Sequence, residues 1–137
     1  MDNDTLLFRL NLPAELQKLS SSELNTVCSE VREVLIDTIS HTGGHLASNL
    51  GMVELTVAIH AVFNSPVDRI LFDVGHQCYT HKILTGRLED FGTLRQEGGI
   101  SGFPKTKESE HDAFVAGHAG NAISAARGIA YAKRLLG

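Results

Sequence analysis

The sequence predicts a helix-rich α/β fold in which short parallel strands are flanked by helices. Three observations carry that reading. A capped amphipathic helix fills residues 20–42, two short apolar runs at residues 69–74 and 113–116 each lead into a glycine-histidine turn, and helix-patterned segments follow both runs. Alternation of strand, turn and helix is the pattern of parallel sheets covered by helices.

The chain has 137 residues, 42% hydrophobic and 20% charged, which describes one globular domain rather than a disordered segment. Its formal net charge is -4, and no cluster of Lys and Arg interrupts that balance. A nucleic-acid partner and an acidic membrane surface are therefore both excluded as expectations. The apolar stretch at residues 52–63 is broken by Glu54 and His60 and is too short to span a bilayer. Met1-Asp2-Asn3-Asp4 is acidic and unlike a signal peptide, so a cytoplasmic location is expected. Cys28 and Cys78 stand alone, without the spacing of a disulfide framework or a zinc site.

Along the chain, residues 6–19 read as an arm with a turn at Pro13. Ser20 and Glu23 form a capping box, and Leu24, Val27, Cys28, Val31, Val34, Leu35 and Ile39 recur at helical spacing behind it. Gly43 and Gly44 end that helix. Residues 49–63 are apolar nearly all round, which predicts a helix buried on most sides. Residues 69–74 read as a strand covered on both faces. A short helix is expected at residues 78–84, closed by Gly86. Residues 98–112, rich in glycine and charge, are expected to be a mobile loop that does not pack. After the second strand, residues 121–136 predict a helix with Ile123, Ala126, Ile129, Ala130 and Leu135 toward the core. Only two strands among four helical segments leave sheet edges and apolar helix faces that need cover. Self-association or a partner polypeptide is therefore expected.

Three Gly-His steps, Gly44-His45, Gly75-His76 and Gly117-His118, fall where elements end in turns. Glycine allows positive φ or close approach to a ligand, and histidine moves protons near neutral pH. Ligands of open α/β sheets bind outside the carboxyl ends of strands, where His76 and His118 are expected. The turn 116–121 leads into a helix, whose free N–H groups and positive dipole end suit a phosphate or carboxylate. Close helix–sheet packing is an equal explanation of its glycines. There is no Gly-x-Gly-x-x-Gly, no P-loop and no Gly-x-Ser-x-Gly elbow. His41 and His45 have the spacing of a helical metal pair, but Gly43 and Gly44 break the helix between them, so no metal ligand is assigned. His41, His81 and His111 are expected to be surface or capping histidines, and His60 a satisfied core histidine.

Five stretches in order closely resemble the amino-terminal part of the 1-deoxy-D-xylulose-5-phosphate synthases. They are Thr42-Gly-Gly-His-Leu-Ala-Ser-Asn-Leu-Gly51-Met-Val-Glu-Leu-Thr56, Asp73-Val-Gly-His-Gln77, His81-Lys-Ile-Leu-Thr-Gly-Arg87, Thr93-Leu-Arg-Gln-Glu-Gly-Gly-Ile-Ser-Gly-Phe-Pro-Lys105 and Ala116-Gly-His118. The resemblance covers about residues 7–136. It implies a transketolase-like, thiamine-diphosphate-binding fold. It also implies a transferase activity that joins pyruvate to glyceraldehyde 3-phosphate with loss of CO₂ and feeds isoprenoid and thiamine biosynthesis. His45 matches the catalytic histidine facing the reactive thiazolium carbon. His76 matches a cofactor-binding histidine, and Gly117, His118 and Ala119 match the tripeptide lining the cofactor beside its diphosphate. Ala119-Gly120-Asn121 stands where many members carry a Ser-Ser-Thr-like run.

In the family, the Mg²⁺ ligands and the glutamate facing the aminopyrimidine ring come from further along the chain. Residues 1–137 are accordingly expected to be a single, incomplete diphosphate-side domain, an amino-terminal portion or split subunit that is inactive and binds thiamine diphosphate and Mg²⁺ weakly or not at all when isolated. Two alternatives stand beside this reading: a non-enzymatic relic or assembly module, and the amino-terminal subunit of another transketolase-like enzyme.

Overall fold

A computed structural model of the chain describes residues 4–136. Helix α1, Leu6–Arg9, opens the arm, and its first free N–H groups are taken by a carboxylate from the next helix: Leu6 and Leu7 donate to Glu30 at 3.1 and 2.6 Å. A 3₁₀ turn, Ala14–Lys18, follows Pro13. Helix α2, Ser21–Thr42, begins in the expected capping box, with Glu23 N–H donating to Ser20 Oγ and Ser20 N–H to Glu23 Oε2. It stops at Gly43, whose φ of 74° suits glycine. Val27, Val31 and Leu35 are fully buried along its inner face.

The expected helix at residues 49–63 is two helices, α3, Leu46–Leu50, and α4, Val53–Val62, separated at Gly51 and Met52. Helix α2 packs on α1, α3 and α4, and its Arg32 bridges Leu50 O at 3.3 Å and Glu54 at 2.6 Å. Helix α4 is not buried on most sides. Val53, Thr56, Val57 and His60 face inward, whereas Leu55, Val62 and Phe63 are exposed, Val62 by 73%. One apolar face has no neighbour to cover it among the described residues.

Helix α5, Tyr79–Lys82, runs into a wide π-type turn, Ile83–Arg87, that Gly86 closes at a φ of 87°. A 3₁₀ turn, Phe91–Thr93, and an irregular segment lead to helix α6, Ala122–Leu136. The result is helix-rich, and no strand is formed among the described residues. Residues 69–74 and 113–116 exchange no backbone hydrogen bonds with each other. A strand needs a ladder partner, and neither segment finds one here. The expected inward face of α6 is also uncovered: none of its residues is buried, and Ile123 is 83% and Leu136 88% exposed.

Residues 98–112 depart from expectation in the other direction. Ile100, Gly102, Pro104 and Asp112 are buried, and the segment is fastened by charge. Asp112 accepts from both terminal nitrogens of Arg87 at 2.8 and 2.9 Å and from Lys105 N–H at 2.7 Å, while Glu108 pairs with Lys82 and Arg87. Burial alone would raise the Asp112 carboxyl. Its bonds from His81, Arg87 and Lys105 outweigh that and hold it well below the usual carboxylate range. A glycine- and charge-rich segment packs when its charges have buried partners.

His81 is likewise no surface residue; it is 1% exposed. Its Nε2–H faces Asp112 Oδ1 at 3.2 Å, which leaves Nδ1 as the acceptor for His60 Nε2–H at 2.9 Å. His60 Nδ1 is then a buried atom without a partner, and burial together with His81 pushes the His60 pKa down to about 3. The core histidine is therefore satisfied on one nitrogen only. His111 is half-buried and bonded to Ser65 Oγ at 2.9 Å, and only His41 is an exposed capping histidine, facing Asp37 O at 2.7 Å. Both cysteines are buried, and burial pushes the Cys78 thiol up to about 12, so it packs rather than reacts.

Candidate functional site

Two of the three Gly-His turns meet. His45 is the N-cap residue of α3, held outside α2 by Gly43 and Gly44, and Gly44 has a φ of 147°. A Cβ at Gly44 would lie 3.1 Å from the Tyr79 hydroxyl, so the turn needs glycine for space as well as for its backbone. His76 follows Val74 and Gly75, with φ of 61° and 93°. Positive φ at a β-branched residue is strained by about 1–3 kcal/mol. The two positive φ angles turn the chain just before His76, whose ring lies against that of His45. A Cβ at Gly75 would come within 2.6 Å of Pro104, which seats residues 98–104 against the same turn.

The His45 and His76 rings lie edge to face, 5.0 Å apart at 62°, with Phe103 6.4 Å from His45. Desolvation, the His76 charge and the Arg95 charge hold His45 below its usual value. His45 is thus a neutral, exposed imidazole near neutral pH, able to accept a proton. Nδ1 of His76 is buried and has no hydrogen-bond partner among the described residues. Beneath the pair lies Asn49, fully buried, with hydrogen bonds to the backbone of residues 45, 76 and 79. Sequence reasoning passed over Asn49. The signal that pointed to it was an amide at the start of a largely apolar stretch.

The third turn is adjacent but separate. A Cβ at Gly75 would lie 3.4 Å from that of Ala116, so the turn starts beside the histidine pair. Gly117, His118 and Ala119 are themselves exposed, and among the described residues no hydrogen bond or ring contact joins His118 to His45 or His76. The start of α6 is not open to an added anion. Asp73 already accepts from Gly120 N–H at 2.9 Å and Ala122 N–H at 3.2 Å, and these N–H groups hold its carboxyl below the usual range. The turn expected to suit a phosphate or carboxylate holds a carboxylate of the chain itself, that of Asp73. Its signal was an acidic residue three positions before His76.

A cleft of about 460 Å³ lies elsewhere, between α6 and residues 106–113, lined by Arg69, Asp112, Ile129 and Lys133. It is space beneath an undercovered helix, and no histidine of the three turns reaches it. Among the described residues no group of three His, Cys, Asp or Glu side chains is placed to hold a metal, and no helix is long and apolar enough to cross a membrane.

The family model described as 1-deoxy-D-xylulose-5-phosphate synthase matches residues 7–137. Similar proteins include the 1-deoxy-D-xylulose-5-phosphate synthases of Azobacteroides pseudotrichonymphae genomovar. CFP2, 60% identical over 97% of this chain and 21% of the relative, and of Dictyoglomus thermophilum, 57% identical over 96% and 21%. That of Dechloromonas aromatica is 56% identical over 98% of this chain and 22% of the relative. The chain spans about a fifth of the length of these curated relatives and corresponds to their amino-terminal part. With the model match and these identities running along almost all of its residues, the chain belongs to the 1-deoxy-D-xylulose-5-phosphate synthase family.

Proposed function

We propose that this chain supplies the histidine-bearing wall of a thiamine-diphosphate site in a 1-deoxy-D-xylulose-5-phosphate synthase, a transketolase-type transferase that condenses pyruvate with glyceraldehyde 3-phosphate and releases CO₂. The observation that carries the reading is the edge-to-face pair of His45 and His76, beside which the buried Nδ1 of His76 lacks a partner. An exposed neutral imidazole next to an orphaned ring nitrogen fits a polar ligand at the pair. The first turn of α6 does not fit the diphosphate, because Asp73 fills it.

His76, with the backbone of Gly117, His118 and Ala119 beside it, would hold the cofactor. When bound there, thiamine diphosphate would supply a nucleophilic carbon and an electron sink for the pair left by loss of CO₂. His45 holds a substrate oxygen or moves a proton there, in keeping with its lowered pKa. Phe103, flanked by buried Gly102 and Pro104, stands on one side of the pair. The Mg²⁺ ligands come from the part of the family that this chain does not span, so the isolated chain is inactive and binds the cofactor weakly.

The same reading assigns the uncovered faces of α4 and α6 to a complementary polypeptide or, without one, to a second copy of the chain. Residues 69–74 and 113–116 then gain ladder partners and act as short parallel strands. Two buried, unpaired thiols accord with a reducing cytoplasm.

Calorimetry with thiamine diphosphate and Mg²⁺ tests the proposal, on the chain alone and on its complex with the remainder of a family member. The chain alone gives little heat. The complex binds in a Mg²⁺-dependent way, and His76→Ala weakens it by roughly tenfold or more, as expected for one lost hydrogen bond to a charged ligand. Tight binding by the chain alone, or an unaltered affinity in His76→Ala, contradicts the proposal.

A further inference from the structure

A buried primary amide is unfavourable unless its two donors and its carbonyl oxygen are met. Asn49, on α3 and fully buried, meets that demand with backbone groups from three places in the chain. Its Nδ2 donates to His45 O at 2.7 Å and to His76 O at 2.9 Å, and its Oδ1 accepts from Tyr79 N–H at 2.9 Å. Tyr79 opens α5, where an N–H has no partner within the helix. No backbone–backbone hydrogen bond joins the His45 turn to the His76 turn among the described residues. Among the described residues the hydrogen-bonded bridge between them is this one side chain.

We propose that Asn49 is the positioning residue of the site, setting the separation and tilt of the His45 and His76 rings by holding the backbone carbonyl of each against α5. The chemistry of the amide accounts for its choice. Asp offers acceptors where two donors are required, Gln is a methylene too long, and Ser or Ala cannot reach both carbonyls. Tyr79 completes the support, since its buried hydroxyl lies under Gly44 and Gly102, each too close for a side chain to be added freely. Among the described residues Asn49 forms no hydrogen bond to either ring, and it acts through the backbone.

This rests on the reading of His45 and His76 as the cofactor-facing pair, but the test uses the cofactor-free chain, so the two fail separately. The titratable and charged groups facing the pair are His45, His76, Arg95 and the Tyr79 hydroxyl. In the wild-type chain, NMR finds the Asn49 side-chain amide protons exchanging with water roughly tenfold or more slowly than those of exposed Asn25. His76→Gln raises the titration midpoint of His45, because the neighbouring charge is gone. In the Asn49→Ala background the same substitution leaves the His45 midpoint unmoved, the rings having separated. Asn49→Asp, which keeps the acceptor for Tyr79 N–H and loses both donors, behaves like Asn49→Ala in this cycle. A residue that served stability alone would lower the melting temperature and leave the cycle intact. An equal His76→Gln shift with and without Asn49 overturns the proposal. Should the variants not fold, wild-type Asn49 amide protons exchanging as fast as those of Asn25 overturn it equally.

Discussion

Asp112→Asn is the substitution with the largest expected cost outside the apolar core. The carboxylate accepts from both Arg87 nitrogens, from Lys105 N–H and from His81, and it lies 3.8 Å from Lys82 Nζ, with its own side chain fully buried. An asparagine of the same shape turns N–H groups toward at least one of those donors. It also leaves Lys82 and Arg87 facing Glu108 as their one remaining carboxylate in the cluster. Breaking a buried, hydrogen-bonded ion pair costs about 3–5 kcal/mol. Glu54→Gln is the internal control, because its pair with Arg32 is largely exposed and is worth about 0–1 kcal/mol. Urea unfolding followed by circular dichroism separates them: Asp112→Asn moves the midpoint strongly and Glu54→Gln barely, at unchanged slope. Equal midpoints for the two variants would refute the buried network as a determinant of stability.

The pH dependence of folding follows from His60. Its folded pKa, about 3, lies below the ordinary 6.5, so the unfolded chain binds the extra proton first. Its contribution is complete above about pH 6.5 and is lost as pH falls toward 3, each pH step between those limits removing about 1.4 kcal/mol. His81, His111 and Asp112 are also held below their ordinary values and deepen the loss. Thermal melts show a plateau above pH 6.5 and a steady decline below it; a melting temperature constant to pH 4 contradicts the assignment. For assembly, light scattering across a dilution series shows masses above the monomer, driven by the exposed faces of α4 and α6. A cooperative, folded monomer at low concentration contradicts that.

Local signals were legible in the sequence. The Ser20–Glu23 capping box and the Gly43 stop of α2 are matters of a few adjacent residues, and both stand as expected. The placing of His45 and His76 in glycine turns was equally local. Interactions that span the chain left no such trace. Asp112 meets Arg87 across 25 residues and His81 across 31, so a segment that reads as solvated holds one fully buried carboxylate, Asp112, and a half-buried one, Glu108, while Lys105, Lys107 and Glu110 stay exposed as expected. Asp73 reaches 47 residues to cap α6, and a turn that looked vacant is filled. Apolar patterning marked α6 and α4 for burial, but patterning says which face seeks cover, not which neighbour provides it.

The central claim is that His45 belongs to the reacting site and His76 to cofactor binding. It is tested most directly by reconstituting this chain with the remainder of a family member and following pyruvate decarboxylation. A residue acting on the reacting atoms lowers turnover, whereas one that holds the cofactor lowers affinity. His45→Ala is expected to lower turnover by roughly a hundredfold or more while leaving cofactor affinity within a few-fold. Turnover in His45→Ala equal to that of the wild-type complex would contradict the account.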